Sequence, residues 1–166
     1  GEQAQLVQMC RQNAAESIAR QAGSTGRDAS ALDELRRLLG LEKVPAYIEC
    51  YDISNLQAGE NVAGMVVFEN GRPLKSAYRK FKIQTVTGQD DYGSMREVIR
   101  RRFTEYYARQ QQGDGEGFGR LPDLVLLDGG KGHVAAVQPV LRELGVAVPL
   151  FGLVKDDKHR TRAIAL

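Results

Sequence analysis

The sequence predicts an α/β domain on a mixed five-stranded sheet of order 3-2-1-4-5, strand 2 antiparallel, flanked by helices. Three observations carry that prediction. Asn70-Gly71 separates two strand-like runs and is a strong signal for a two-residue hairpin, so the sheet opens with antiparallel neighbours. After the hairpin, helical and strand-like segments alternate, which is the pattern of parallel α/β units. Two apolar runs, Tyr47–Ser54 and Leu124–Asp128, carry an aspartate at or near their ends, Asp52 and Asp128. As adjacent parallel strands they would bring both carboxylates to the carboxyl end of the sheet, where open α/β sheets place their sites.

Residues 1–22 place Leu6, Met9, Cys10, Asn13 and Ile18 at helical spacing, a helix with a modest apolar stripe. Gly23–Arg27 breaks it. Ser30 and Asp33 open a short helix with Leu32, Leu35, Leu38 and Leu39, closed by Gly40. The first strand, 46–54, puts Ile48, Cys50 and Asp52 on one face and Tyr47, Glu49 and Tyr51 on the other. The second runs from Asn61 to Glu69. The third alternates from Leu74 to Gln84, with Lys75, Ala77, Arg79, Phe81 and Ile83 facing one way and Ser76, Tyr78, Lys80 and Lys82 the other. Asp90 or Asp91 caps a long helix with Met95, Val98, Ile99, Phe103 and Tyr106 at helical period. Gln110–Gly119 is glycine-rich and aperiodic, a surface loop. The fourth strand, Leu124–Asp128, leads through a glycine turn to a helix from about His133 to Leu144, kinked at Pro139. A fifth strand follows at Val148–Val154, then a charged tail from Lys155. Strand order 3-2-1-4-5 is the ribonuclease H-like arrangement.

With 166 residues, 42% hydrophobic and 27% charged, the chain has the composition of one ordinary globular domain. No apolar run reaches the length of a membrane span and no leader-like segment opens the chain, so a cytoplasmic location is expected. Two cysteines exclude a disulfide framework, and no Cys/His spacing suggests zinc. The net charge of +2 is small, yet the basic residues are clustered.

Carboxylates gathered without soft ligands favour Mg²⁺ or Mn²⁺, which prefer oxygen and take phosphate oxygens as further ligands. Such an ion activates water and stabilises charge on a scissile phosphate, so phosphodiester hydrolysis is the expected chemistry. Each aspartate also has a plain structural use. Asp52 could hydrogen-bond the next turn, Asp128 could shape the turn before Gly129-Gly130, and Asp91 could be a helix cap. Lys131 could meet a phosphate at a helix start or be solvated. The Leu124–Asp128 run also resembles a nucleotide hydrolase's magnesium-binding strand, but no phosphate-binding glycine loop accompanies it. Arg72, Lys75, Arg79, Lys80 and Lys82 have no acidic residue among them and are interleaved with Tyr78 and Phe81. That pattern suits a nucleic-acid surface, with Arg100 and Arg101 on the outer face of the long helix, although a protected sheet edge would look similar. His133 is expected on a surface helix and His159 in the exposed tail.

The segments IECYDISN (48–55), VAGMVVFENGRPLKSAYRKFKI (62–83), DDYGSMREVIRRR (90–102), LPDLVLLDGGKGH (121–133) and GLVKDDKHRTRAI (152–164) resemble the C-terminal nuclease region of the UvrC family of the bacterial excinuclease ABC complex. The resemblance covers about residue 46 to the end. It implies a ribonuclease H-like, metal-dependent DNA endonuclease of bacterial nucleotide excision repair, cutting 5′ of a lesion in damaged double-stranded DNA beside the UvrB helicase subunit. It implies that Asp52, Asp91 and Asp128 are the catalytic carboxylates; by the donor chemistry above, Asp52 and Asp128 are the expected metal ligands and Asp91 is expected to help orient metal or water. The family adds a later histidine helix and helix-hairpin-helix motifs that this sequence does not contain. Residues 1–45 are therefore expected to be a helical linker region and 46–166 the endonuclease domain, truncated at its C-terminal end. A non-catalytic DNA- or partner-binding module is the competing expectation, and His159 does not take the family histidine's role.

Overall fold

The computed structural model describes residues 28–55, 60–155 and 161–165; the expected helix at 1–22 and His159 lie outside them. Helix α1, Asp28–Leu39, precedes strands β1, Tyr47–Asn55, and β2, Asn61–Glu69. Then follow β3, Arg72–Pro73, β4, Arg79–Lys82, helix α2, Asp91–Gln111, and β5, Leu124–Asp128. Helix α3, Lys131–Glu143, and strands β6, Leu150–Lys155, and β7, Thr161–Ala165, complete the order.

The sheet runs β3-β2-β1-β5-β6-β7, with β4 also paired to β2. β1 is antiparallel to β2 and parallel to β5, and β5 is parallel to β6. The expected order 3-2-1-4-5 is present in this path, with two differences. The third strand is not continuous, because Pro73 has no N–H to donate to the ladder and Lys75–Ala77 forms a 3₁₀ turn. Seven residues from Pro73 to Arg79 thereby span only four of β2, from Phe68 to Met65. Lys75 and Ala77 consequently do not lie on a strand face with Arg79. The second difference is β7, which pairs antiparallel with β6 where only a charged tail was expected. Its run Ala163-Ile164-Ala165 is too short to signal a strand among charged neighbours.

The hairpin is as the dipeptide requires. Asn70 and Gly71 both have positive φ, 54° and 84°, between the paired residues Glu69 and Arg72. Helix α3 begins at Lys131, before the expected His133, and Pro139 lies inside it.

The alternation of β1 sorts its side chains into two apolar layers. Tyr47 and Tyr51 join Met65, Val67, Phe81, Val125 and Leu127 beneath α2 and α3, which contribute Met95, Ile99, Phe103, Val137 and Leu141. Ile48 and Cys50 join Val66, Phe68, Leu124, Leu126 and Leu153 on the other side, beneath Leu32 and Leu35 of α1. Helix α1, inside the segment expected to be linker, is thus packed on the sheet.

One polar network interrupts the first layer. Glu49 and Arg102 are buried, and Arg102 donates to both Glu49 oxygens at 2.9–3.2 Å. It also donates to the carbonyls of Phe118 and Arg120, at 2.8 and 2.6 Å. The expected Gln110–Gly119 surface loop is therefore anchored to the core at its end through Phe118, its first two residues being the end of α2 and Gly117–Gly119 a 3₁₀ turn.

Candidate functional site

The register of the two central strands decides what their aspartates can do. Tyr51 is paired with Leu127 across the parallel β1–β5 ladder, so Asp52 and Asp128, one residue further on each, stand level at the carboxyl ends. Pleat alternation carries both to the α1 side of the sheet, directly beyond Cys50 and Leu126. Asp52 is only 6% exposed, and its Oδ1 accepts the Ile53 N–H at 2.8 Å. Asp128 is half-buried and lies opposite Leu153 of β6. Burial pushes the Cys50 thiol upward, with the Glu49 and Asp128 carboxylates adding to it.

The same row extends across β2. Asp52 is opposite Gly64, and Gly64 is opposite Lys80; Ser54 is opposite Val62, and Val62 is opposite Lys82. Phe81, between the two lysines, points into the layer beneath α2. Lys80 and Lys82 are therefore on the carboxylate face of the sheet, two strands from Asp52, with a residue that has no side chain in between. Two strand spacings are about 10 Å, within which a lysine side chain and a metal-bound carboxylate can share one phosphodiester.

Asp90 and Asp91 divide the two roles that the sequence left open. Asp90 is the N-cap of α2, its Oδ1 accepting the Gly93 N–H at 2.9 Å. Asp91, the first residue of the helix, is thereby released from capping, and its Oδ1 accepts from the Asn55 amide at the end of β1, at 3.2 Å. Beside it, Tyr92 is 44% exposed and meets His133 edge to face, with centroids 4.7 Å apart and planes at 86°. His133 is half-buried in the first turn of α3 and lies against Gly129, where a Cβ would collide with the imidazole. A Cβ at Gly132 would meet the Tyr92 hydroxyl in the same way.

The expected basic residues fall in two groups, joined where Arg101 donates to the Lys82 carbonyl at 2.7 Å. Arg72, Lys75, Arg79, Lys80 and Lys82 are all exposed. Arg79 donates to the carbonyls of Ser76 and Tyr78, and Lys82 pairs with Glu60 at 3.3 Å. On the α2 side, Arg100 pairs with Glu143, while Arg101 pairs with Glu97 at 3.1 Å and stacks over Phe81. Lys131 is exposed at the start of α3, whose N-cap Gly130 supplies no side-chain bond.

The three aspartates thus converge on one end of the sheet by different routes. Asp52 and Asp128 arrive by strand register, Asp91 by its link to Asn55. Among the described residues no three His, Cys, Asp or Glu side chains are grouped so that they could hold a metal ion. The donors that the three aspartates offer are nonetheless oxygens, which fits a hard divalent cation that completes its shell with water and substrate. Asn55, Tyr92 and the Glu49–Arg102 pair were not singled out from the sequence. Asn55 could have been, as a polar side chain three residues beyond Asp52 on the same strand.

A protein-family model described as the UvrC RNAse H endonuclease domain matches residues 36–165. UvrABC system protein C of Acetivibrio thermocellus is 44% identical over 99% of this chain, which spans 28% of that relative. The same-named protein of Caldanaerobacter subterraneus subsp. tengcongensis is 46% identical, again over 99% of this chain and 28% of its own length. The chain therefore spans less than a third of the curated relatives it matches. Ciona intestinalis endonuclease V, solved with an inosine-containing 23mer DNA, has a TM-score of 0.43 and 17% identity, covering 79% of this chain and 57% of that one. Among the described residues no helix is long and apolar enough to cross a membrane.

Proposed function

We propose, proceeding from the fact that this chain belongs to the UvrC RNase H endonuclease domain family, that it hydrolyses phosphodiester bonds of damaged double-stranded DNA with Mg²⁺ or Mn²⁺. The observation that carries the proposal is the level placement of Asp52 and Asp128 on adjacent parallel strands, with Asp91 brought to the same end through Asn55. Asp52 and Asp128 would hold the ion, which when bound supplies an activated water and charge stabilisation at the scissile phosphate. Asp91 orients the attacking water or the ion's hydration shell. Lys80 and Lys82 neutralise the DNA backbone on the carboxylate face, and Lys131 approaches it from the start of α3. Arg72, Lys75 and Arg79 extend this basic edge. Arg100 and Arg101, engaged by Glu143 and Glu97, contribute at its periphery.

The incision we assign is the one 5′ of the lesion in nucleotide excision repair, made in the cytoplasm with the UvrB helicase as partner. The relatives' common name, which places them in a UvrABC system, supports the repair role and the partner, and the 5′ side follows from the resemblance of the sequence motifs.

The test is Mn²⁺-dependent nicking of a lesion-containing duplex in the presence of UvrB, using this chain and the chain extended to the length of its relatives. Nicking by either form that disappears with Asp52→Ala, while DNA binding persists, is the expected result. Nicking retained by Asp52→Ala would refute the assignment, and no nicking by either folded form would leave a DNA- or partner-binding module. Lys80→Glu should weaken DNA binding and reduce the salt slope by about one per charge removed.

A further inference from the structure

We infer that Asn55, Tyr92 and His133 are positioning residues that hold Asp91 in place against the Asp52–Asp128 pair. The inference rests on the metal site proposed above and names the parts that would set its geometry. Helix α2 packs on one face of the sheet, whereas Asp52 and Asp128 belong to the other. Asp91 can serve with them only from the strand ends, where the first residue of a helix needs lateral support.

Two braces supply that support. The first is the Asn55 amide, which donates to Asp91 from the strand that also carries Asp52, three residues earlier. Its reach ties Asp91 to β1 rather than to solvent. The second is aromatic. Tyr92, adjacent to Asp91, sets its ring edge to face on His133, and His133 bears on Gly129, the residue immediately after Asp128. The Tyr92 hydroxyl lies against Gly132 of the same turn. Displacement of the α2 start therefore pushes on the turn that ends β5, and each carboxylate is referred to the others through packed atoms.

Both contacts depend on glycine. A side chain at 129 would occupy the place of the imidazole, and one at 132 the place of the Tyr92 hydroxyl. That requirement accounts for two of the three glycines in Asp128-Gly129-Gly130-Lys131-Gly132 by close approach rather than by a need to bind phosphate. Because Asp90 takes the capping duty, the Asp91 carboxylate can be directed by these braces. Groups that orient metal ligands or their hydration shell commonly alter metal affinity 10–100-fold when removed.

The experiment is a Mn²⁺ titration of this chain followed by water-proton relaxation, with metal-free thermal melts of every variant. Asn55→Ala and Tyr92→Ala should each weaken Mn²⁺ about 10-fold, and Tyr92→Phe, which keeps the ring, should bind nearly as tightly as wild type. In an Asp91→Asn background neither alanine substitution should cost anything further, because both act through Asp91. A purely structural role would lower the melting temperature and leave that non-additivity absent. Should Tyr92→Ala fail to fold, the exposed Asn55→Ala carries the test. Wild-type affinity in folded Asn55→Ala, or the same loss with and without Asp91, overturns the inference alone. A cooperatively melting wild type that does not bind Mn²⁺ overturns the metal reading beneath it and the inference with it.

Discussion

Arg102→Met is the substitution whose cost the structure defines most sharply. The guanidinium is 0% exposed and its Glu49 partner 1% exposed. It makes a bidentate contact to the carboxylate and two further bonds to the Phe118 and Arg120 carbonyls. Its charge also lies near the rings of Phe103 and Phe118, 4.8 and 4.9 Å from their centroids. Burial opposes the positive charge, but the Glu49 carboxylate outweighs it, so the guanidinium is held in its charged form above the ordinary arginine range. Methionine would fill much of the volume and leave the Glu49 carboxylate buried with the Tyr51 hydroxyl donating to it and no cation opposite. Removing one member of a buried pair costs about 3–5 kcal/mol. At about 2–4 °C per kcal/mol for a chain of this length, the melting temperature should fall by roughly 6–20 °C. The companion Glu49→Gln/Arg102→Met, which removes both charges, should recover most of that loss. Thermal melts and urea titrations of the two variants measure this directly. A single variant melting within about 2 °C of wild type, or a double variant no better than the single, would refute the reasoning.

Two further outcomes follow from the α2 start and its neighbouring loop. Asp90→Ala removes the cap bond to Gly93 and should cost about 1 kcal/mol in urea unfolding without changing Mn²⁺ affinity, the reverse of Asp91→Asn. Equal effects of the two on metal binding would show that the carboxylates are interchangeable. Glu97 concerns pH. Burial raises its carboxyl, but the Thr85 hydroxyl, the Gln84 and Thr85 N–H groups and Arg101 together outweigh burial, leaving its pKa below 4.5. The unfolded chain therefore takes up this proton first as pH falls. The stabilisation is complete above about pH 4.5 and is lost as pH descends through the lower folded value. The stability gap between wild type and Glu97→Gln should accordingly narrow from pH 7 to about pH 3, as read by urea midpoints; a constant gap would remove Glu97 from the acid response.

Much of this architecture is legible because side-chain alternation and turn chemistry are local. Ile48, Cys50 and Asp52 share a face by pleat alone, and Asn70-Gly71 fixes its hairpin by the φ values it tolerates. The third strand misled for a reason of the same kind. Alternation from Leu74 to Gln84 reports which side chains are apolar, while the ladder breaks at the missing N–H of Pro73 and resumes after a turn. The choice between Asp90 and Asp91 was not legible, since neighbours in sequence differ by about 100° around a helix and only one reaches the Gly93 N–H. The same rotation distributes Arg100, Arg101 and Arg102 among three environments. Arg102 falls four residues after Val98 and three after Ile99, on the buried stripe, so its burial was available from the pattern that placed those two in the core.

What periodicity could not do was separate structural charges from chemical ones. Glu49, Asp52 and Asp128 all stand in apolar strand frames and would be flagged alike. Position along the strand separates them. Glu49 lies mid-strand, beneath α2, where Arg102 can cover it completely. Asp52 and Asp128 lie where the ladder between β1 and β5 ends, with Lys80 two strands away in the same row. A carboxylate in the middle of the sheet is held by a side chain from a packed helix. A carboxylate at its carboxyl edge faces the turns and helix starts, from which a phosphate and its cation can approach.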